Sequence, residues 1–184
     1  MTVTRSLLSQ TLDAAVQDRQ TVDRQSRDLS TLLDGVRCWD APTHTDERGT
    51  VMEMFNPQWN WHPDPLVFVY CFTIRPGIVK GWNLHKLHED RYCLLQGEME
   101  VLMYDVRDDS PTCGQISRVV LSEHGRRHVT VPKFVWHADR NIGTTDVVTV
   151  NFPTLPYDYA RPDKYRLPID TPLIPYSFAG ARGW

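Results

Sequence analysis

The sequence predicts an all-β domain, a double-sheet barrel or sandwich, behind an N-terminal helical extension. Three observations predict it. Short runs rich in Val, Tyr, Phe and Thr follow one another after Gly35. Prolines and glycines punctuate those runs, as turns between strands require. The stretch before Gly35 instead spaces its leucines at helical intervals.

The chain has 184 residues, 41% hydrophobic and 23% charged, which suits one folded domain with a substantial core. A net charge of −3 offers no general attraction to nucleic acid or anionic membrane, so neither is an expected partner. No run is long enough to span a bilayer, and the N-terminus lacks the apolar core of a signal peptide; the cytoplasm is the expected location. Cys38, Cys71, Cys93 and Cys113 form no C-x-x-C pair and read as reduced, mostly buried thiols.

Residues 1–36 form the helical extension. Leu7, Leu8, Thr11, Leu12 and Ala15 fall on one helical face, and Leu29, Leu32, Leu33 and Val36 on another. The polar stretch from 17 to 28 has Val22 as its only large apolar residue. One long helix or two shorter ones fit, with Gly35 as the stop. The charges there suit a solvated face or, in a sharper reading, an arm docked on a second subunit.

Residues 37–184 form the β domain. Its strands are expected at Val51–Phe55, Leu66–Ile74, Tyr92–Leu95, Met99–Val106, Ser117–Leu121, His128–Val131 and Val147–Phe152. Met99, Val101 and Met103 alternate with Glu100, Leu102 and Tyr104, giving that strand one core face. Gly97-Glu98 reads as a hairpin turn. The proline-rich tail from Pro153 is expected to run extended over the surface or onto a partner.

Two segments, 80–98 and 132–141, place histidines beside strand and turn signals. Strand alternation puts Asn83 and His85 on one face and His88 on the other. The spacing resembles the two cupin motifs, with Asn83, His85, Asp90 and Gly97 in the first and Pro132, His137 and Asn141 in the second. That resemblance implies a cupin-type double-stranded β-helix, a jelly roll whose motif residues converge inside the barrel. Asn83 stands where the first histidine belongs and Asp90 where glutamate is usual. His85, Asp90 and His137 remain as a two-histidine, one-carboxylate face for one divalent metal such as Fe, Zn, Mn or Ni.

A further resemblance covers nearly everything after residue 45. Asp46 to Glu53, Tyr104 to Gly114, Pro132 to His137, and Tyr157 to Pro162 followed by Asp170 and Ile174-Pro175-Tyr176 are similar to blocks of the dTDP-4-dehydrorhamnose 3,5-epimerases. The resemblance implies a cofactor-free isomerase of carbohydrate biosynthesis that moves a proton beside the ketone of a nucleotide-diphosphate sugar. It implies His85 as base with Asp170 as its orienting carboxylate. The family's lysine position falls on Asp90, leaving Lys86 or Arg91 to substitute. The family's acidic tyrosine falls near Asn151, with Tyr157 the nearest tyrosine downstream. Substrate contacts are implied at Arg48, Glu53, Lys80, Trp82, Asn83, Arg91 and His137. A homodimer is implied too, an exchanged N-terminal strand carrying Arg48 and Glu53 to the neighbour's pocket.

Other readings stand beside these. The chain could be a metal-dependent cupin oxygenase or isomerase, or a non-catalytic sugar-nucleotide-binding cupin. His137 suits a core histidine bonded to a carbonyl, Arg48 a strand-end ion pair, and Ser110-Pro111-Thr112 a structural turn. Trp59, Trp61, Trp82 and Trp136 suit packing, with Trp82 and Trp136 beside the site. His44, His62, His124 and His128 read as solvated.

Overall fold

The computed structural model describes residues 5–25 and 29–183, so residues 1–4 and 26–28 of the expected extension lie outside the described residues. The elements are α1 (Leu7–Ala14), β1 (Cys38–Asp40), β2 (Thr43–Asp46), β3 (Gly49–Met52), a 3₁₀ turn (Pro57–Trp59), β4 (Tyr70–Ile74), β5 (Ile78–Leu84), β6 (Asp90–Gln96), β7 (Glu98–Asp105), β8 (Ile116–Ser122), β9 (Arg127–Val131), β10 (Val135–Asn141), β11 (Val147–Asn151), β12 (Tyr165–Arg166) and β13 (Arg182–Gly183).

The chain divides into two compact units, residues 1–31 and 32–184. In the first, Ser6 caps α1 by accepting a bond from the Ser9 N–H. The helix ends at Ala14 and covers the first of the two shorter helices expected; none of its residues is buried, and a helix this short without packing is not extended by the polar stretch that follows. The second expected helix does not form either. Leu33 and Val36 instead pack in the β core, which moves the boundary to residue 31.

In the second unit the strands form the expected jelly roll. One sheet runs β1-β9-β6-β11-β4 and the other β12-β5-β10-β7-β8, with β13 added to β5; β2 and β3 make a separate hairpin. Ladders are antiparallel except β13 with β5. Ile74, Leu94, Val129 and Val147 of the first sheet meet Met99, Val101, Met103, Val119 and Val135 of the second in one core. The alternation of β7 therefore holds, yet Leu102 on its other face is buried as well. The proline-rich tail explains this: Ile174 and Phe178 lie over Leu102 and Trp82 in a second cluster. The tail is thus bound to its own barrel through β12 and β13.

Three further expectations change. Gly97-Glu98 is no hairpin, because β6 and β7 belong to different sheets. Gly97, at φ 84°, turns the chain from one sheet to the other, and a Cβ there would lie 3.0 Å from the Asp146 carbonyl oxygen. The strand expected from Leu66 begins at Tyr70; Leu66, Val67 and Val69 precede it with exposed side chains and no ladder partner among the described residues. The thiols are free, but only Cys93 is buried, and Cys71 and Cys113 are exposed.

The Ser110-Pro111-Thr112 block is structural. Asp105, fully buried at the end of β7, accepts bonds from Arg107, from Ser110 Oγ at 2.6 Å and from Thr112 Oγ1 at 2.6 Å. Burial opposes its ionisation, but those donors hold its carboxyl far below the usual range. Asp105→Asn should therefore lower the unfolding free energy by about 3–5 kcal/mol, measured in urea melts, since it strands Arg107 without its partner. In the wild type this contribution is complete above the unfolded carboxyl value of 3.8 and disappears as the pH falls through the depressed native value. Equal melts of variant and wild type at pH 7 would contradict it.

Candidate active site

The site forms where the end of β5, the start of β6 and the middle of β10 converge, because both cupin-like segments fold onto the same end of the barrel. Gly81 makes this possible. A Cβ there would sit 2.7 Å from the His137 carbonyl oxygen and 2.8 Å from Ala138 Cα, so only glycine lets β5 approach β10 this closely. The β5–β10 register shifts next to that contact, between His137 and Asp139, and pairs His137 with Asn83.

Asp90, 2% exposed, is the hub. His85 Nε2 lies 3.2 Å from its Oδ2, and His137 Nε2 lies 3.6 Å from the same oxygen. His88 Nε2 lies 3.6 Å from Oδ1. Tyr92 donates to Oδ2 at 3.1 Å, and Asn151 Nδ2 donates to Oδ1 at 2.7 Å. His88 was expected on the opposite face. The strand ends at Leu84, the chain turns, and the His88 ring comes to 4.1 Å from that of His85.

Asp163, which the sequence reading missed, builds that turn. Its carboxylate accepts the N–H groups of Lys86, Leu87 and His88 and the His88 Nδ1–H at 2.9 Å, while its carbonyl accepts from His85 Nδ1. It arrives because β12 pairs Tyr165 with Leu84 and Arg166 with Asn83. No local pattern in the sequence marks it.

These partners set the tautomers. A carbonyl accepts only, so His85 carries its hydrogen on Nδ1, as do His88 toward Asp163 and His137 toward the Val135 carbonyl. Three Nε2 atoms therefore face one carboxylate. Burial works against charge on His85, but the charge and hydrogen bond of Asp90, with Asp163, outweigh it and raise its pKa. Burial together with the His85 charge pushes His137 down to about 3. Despite complete burial, the three histidines hold Asp90 well below the usual carboxylate range. The resting pair is thus an ionised Asp90 beside a protonatable His85, with His137 neutral.

Two cavities open on this cluster. The larger, about 580 Å³, is lined by Tyr70, His85, Tyr157, Arg161 and Lys164 among others. The smaller, about 170 Å³, reaches Lys80, Asn83, Asp90 and His137. His85, Tyr70, Lys164 and Arg166 border both. Lys164, also missed from sequence, is pushed below the ordinary lysine pKa by desolvation and by Arg166, while Asp90 and Asp139 pull it back.

Several expected site residues lie elsewhere. Asp170 is exposed in a turn beyond β12, and the carboxylate beside His85 is Asp90. Lys86 lines neither cavity, its ammonium sitting 4.3 Å from the centre of the Tyr165 ring. Arg91 falls on the opposite face of β6 from Asp90, fully buried, bonded to the carbonyls of Phe152, Asp64, Pro65 and Pro153. Trp82 faces the tail and packs on Phe178. Arg48 pairs with Asp46 on the exposed β2–β3 hairpin, Glu53 is exposed just after it, and neither lines either of these two cavities. Asn141 locks the turn after β10 through the carbonyls of Ile74 and Thr145. His62 and His128 are not solvated: His62 bonds to Glu89 at 3.0 Å, and His128 is buried against Trp59 and Trp61.

The sequence profile of the dTDP-4-dehydrorhamnose 3,5-epimerases matches residues 30–161. The chain belongs to that family. Among its relatives is a probable low-salt glycan biosynthesis epimerase of Haloferax volcanii, 35% identical over 133 residues, 71% of this chain and 85% of that one. The spore coat polysaccharide biosynthesis protein SpsL of Bacillus subtilis is 28% identical over 149 residues, 80% of this chain and 97% of SpsL. The crystal structure of a dTDP sugar isomerase from Desulfovibrio desulfuricans superposes with a TM-score of 0.75 at 28% identity, covering 83% of this chain and 98% of the other.

A cupin barrel can hold a metal, and the residues present here fit one. One ligand atom from each of His85, Asp90 and His137 lies within 4.8 Å of the others. Each histidine offers Nε2 with Nδ1 anchored on a backbone carbonyl, the arrangement that orients metal-binding imidazoles.

Proposed function

We propose that the protein epimerises a nucleotide-diphosphate-linked 4-keto sugar at a carbon beside the ketone. The observation that carries this reading is the His85–Asp90 pair, set where two cavities join in a barrel of the epimerase family. The larger cavity has room for the nucleotide, and Arg161 and Arg166 in its lining would face the diphosphate. The smaller suits the sugar ring between His85 and Lys80.

In this reading His85 Nε2 takes the acidic proton and Asp90 holds the imidazolium that results. The bonding pair of that C–H moves toward the ketone, whose oxygen gains negative charge. Lys164 replaces the family lysine there, since its ammonium borders both cavities. His137, neutral and buried, serves as a wall. Only unprotonated His85 can act, so the rate should rise with pH through its raised pKa.

A second reading rests on the three convergent Nε2 atoms. His85, Asp90 and His137 would hold a divalent cation, which would supply Lewis-acid polarisation of the ketone oxygen.

We also infer a homodimer working in the cytoplasm. Exposed Val51 on the hairpin and exposed Leu66, Val67 and Val69 before the edge strand β4 support a second copy pairing there. Arg48 and Glu53 would then reach the partner's cavity. Four free thiols suit a reducing compartment, and no helix of the described residues is long and apolar enough to cross a membrane. Light scattering at micromolar concentration should return twice the chain mass; a monomer removes the dimer.

Solvent deuterium entering the carbon beside the ketone of a dTDP-4-keto-6-deoxyhexose tests the activity. His85→Ala should slow it by about 10²–10⁴-fold, and His137→Ala by less. No exchange in the wild type overturns the epimerase reading. Stoichiometric iron or zinc, lost together with activity in both variants, selects the metal reading.

A further inference from the structure

Epimerisation needs a proton donor on the face opposite the base, and the family position for it holds Asn151, whose amide cannot serve. The strand ladder shows what stands beside it. Asn151 on β11 is in register with Tyr70 on β4, and Asn151 Nδ2 donates to Tyr70 Oη at 2.9 Å. The orientation of this amide is set, because its Oδ1 accepts the Arg91 N–H at 3.0 Å and its other amide hydrogen goes to Asp90 at 2.7 Å. Tyr70 Oη is therefore the acceptor in that bond. Among the described residues nothing accepts its own hydroxyl hydrogen, which is left to point into the cavity.

The placement fits the task. Tyr70 stands on the five-stranded sheet and His85 follows β5 of the other, and both border the two cavities. The rival tyrosines are less suited. Tyr92 is buried with its hydroxyl committed to Asp90 and Asp139. Tyr157 borders only the larger cavity, edge-on to Tyr159.

We propose that Tyr70 is the general acid of this site, delivering its phenolic proton to the face of the substrate carbon opposite His85. This rests on the epimerase reading above. His85 breaks the C–H bond, and its electron pair is held as an enolate against Lys164. The enolate carbon then takes the Tyr70 proton, a new C–H bond forms on the other face, and tyrosinate remains. One proton passing from the His85 imidazolium through solvent to the tyrosinate restores both groups, with no net change of charge. Asn151, by donating to Oη, steadies the tyrosinate while it lasts. In effect the donor has moved across one rung of the ladder, from β11 to β4.

The test uses Tyr70→Phe in the full chain, which keeps the ring packed on Phe68 and Phe72. With a dTDP-4-keto-6-deoxyhexose in deuterium oxide, two rates are read: deuterium exchange at the carbon, and net inversion. Exchange requires only His85 and should stay within a few-fold of wild type, while inversion should fall by about 10²–10⁴-fold. Unchanged inversion in Tyr70→Phe overturns the proposal and leaves the epimerase reading intact. A larger loss of inversion in Tyr157→Phe than in Tyr70→Phe transfers the role and overturns it as well. Absence of exchange in the wild type overturns the parent reading and this one with it. A thermal melt of Tyr70→Phe matching wild type ensures that the lost inversion reflects the hydroxyl.

Discussion

The structure turns on one buried carboxylate. Asp90 is 2% exposed, and an ion taken out of water without partners costs on the order of several kcal/mol. Three histidines, a tyrosine and an amide therefore surround it, drawn from β6, β10, β11 and the turn after β5. Its charge raises the proton affinity of His85 and, with burial, that of a second carboxyl. Asp139, fully buried nearby and bonded to the same Tyr92, is pushed up to about 7, first by burial and then by Asp90. One carboxyl is held ionised and the other is made harder to ionise. That asymmetry separates a site poised for proton transfer from two carboxylates repelling each other.

The scaffold serves this cluster at several removes. Gly81 lets β5 close on β10, which brings His137 within reach of Asp90. The tail lays β12 on β5, so Asp163 pins the turn from Lys86 to His88 and Lys164 reaches the cavities. Arg91 leaves Asp90 on the inner side of β6 while its own guanidinium ties down four carbonyls outside. A lysine and a tyrosine, Lys164 and Tyr70, enter the same space from segments flanking the cluster.

The barrel was legible because strand alternation and turn residues are local properties, as with Met99, Val101 and Met103 in β7. His85, Asp90 and His137 were legible because motif spacing survives when the fold brings the segments together. Asp163, Lys164 and Tyr70 were not, since their roles depend on contacts between residues far apart in the chain: Tyr70 bonds Asn151 81 positions away. Asp170 was misplaced for the same reason, as the path of the tail over β5 decides which carboxylate reaches His85. The first N-terminal helix, capped by Ser6, was legible from its leucine spacing, whereas the second was not, since Leu33 and Val36 are taken into the β core instead.

The central claim is that Asp90 sets the charge of the cluster, and histidine NMR titration of chelator-treated wild type and Asp90→Asn tests it most directly. In the wild type, His85 should titrate above 6.5, and His137 should stay neutral until the pH nears about 3. In Asp90→Asn, burial should act on His85 unopposed by that charge and bring its pKa clearly down. A His85 titration that is the same in both proteins would contradict the account.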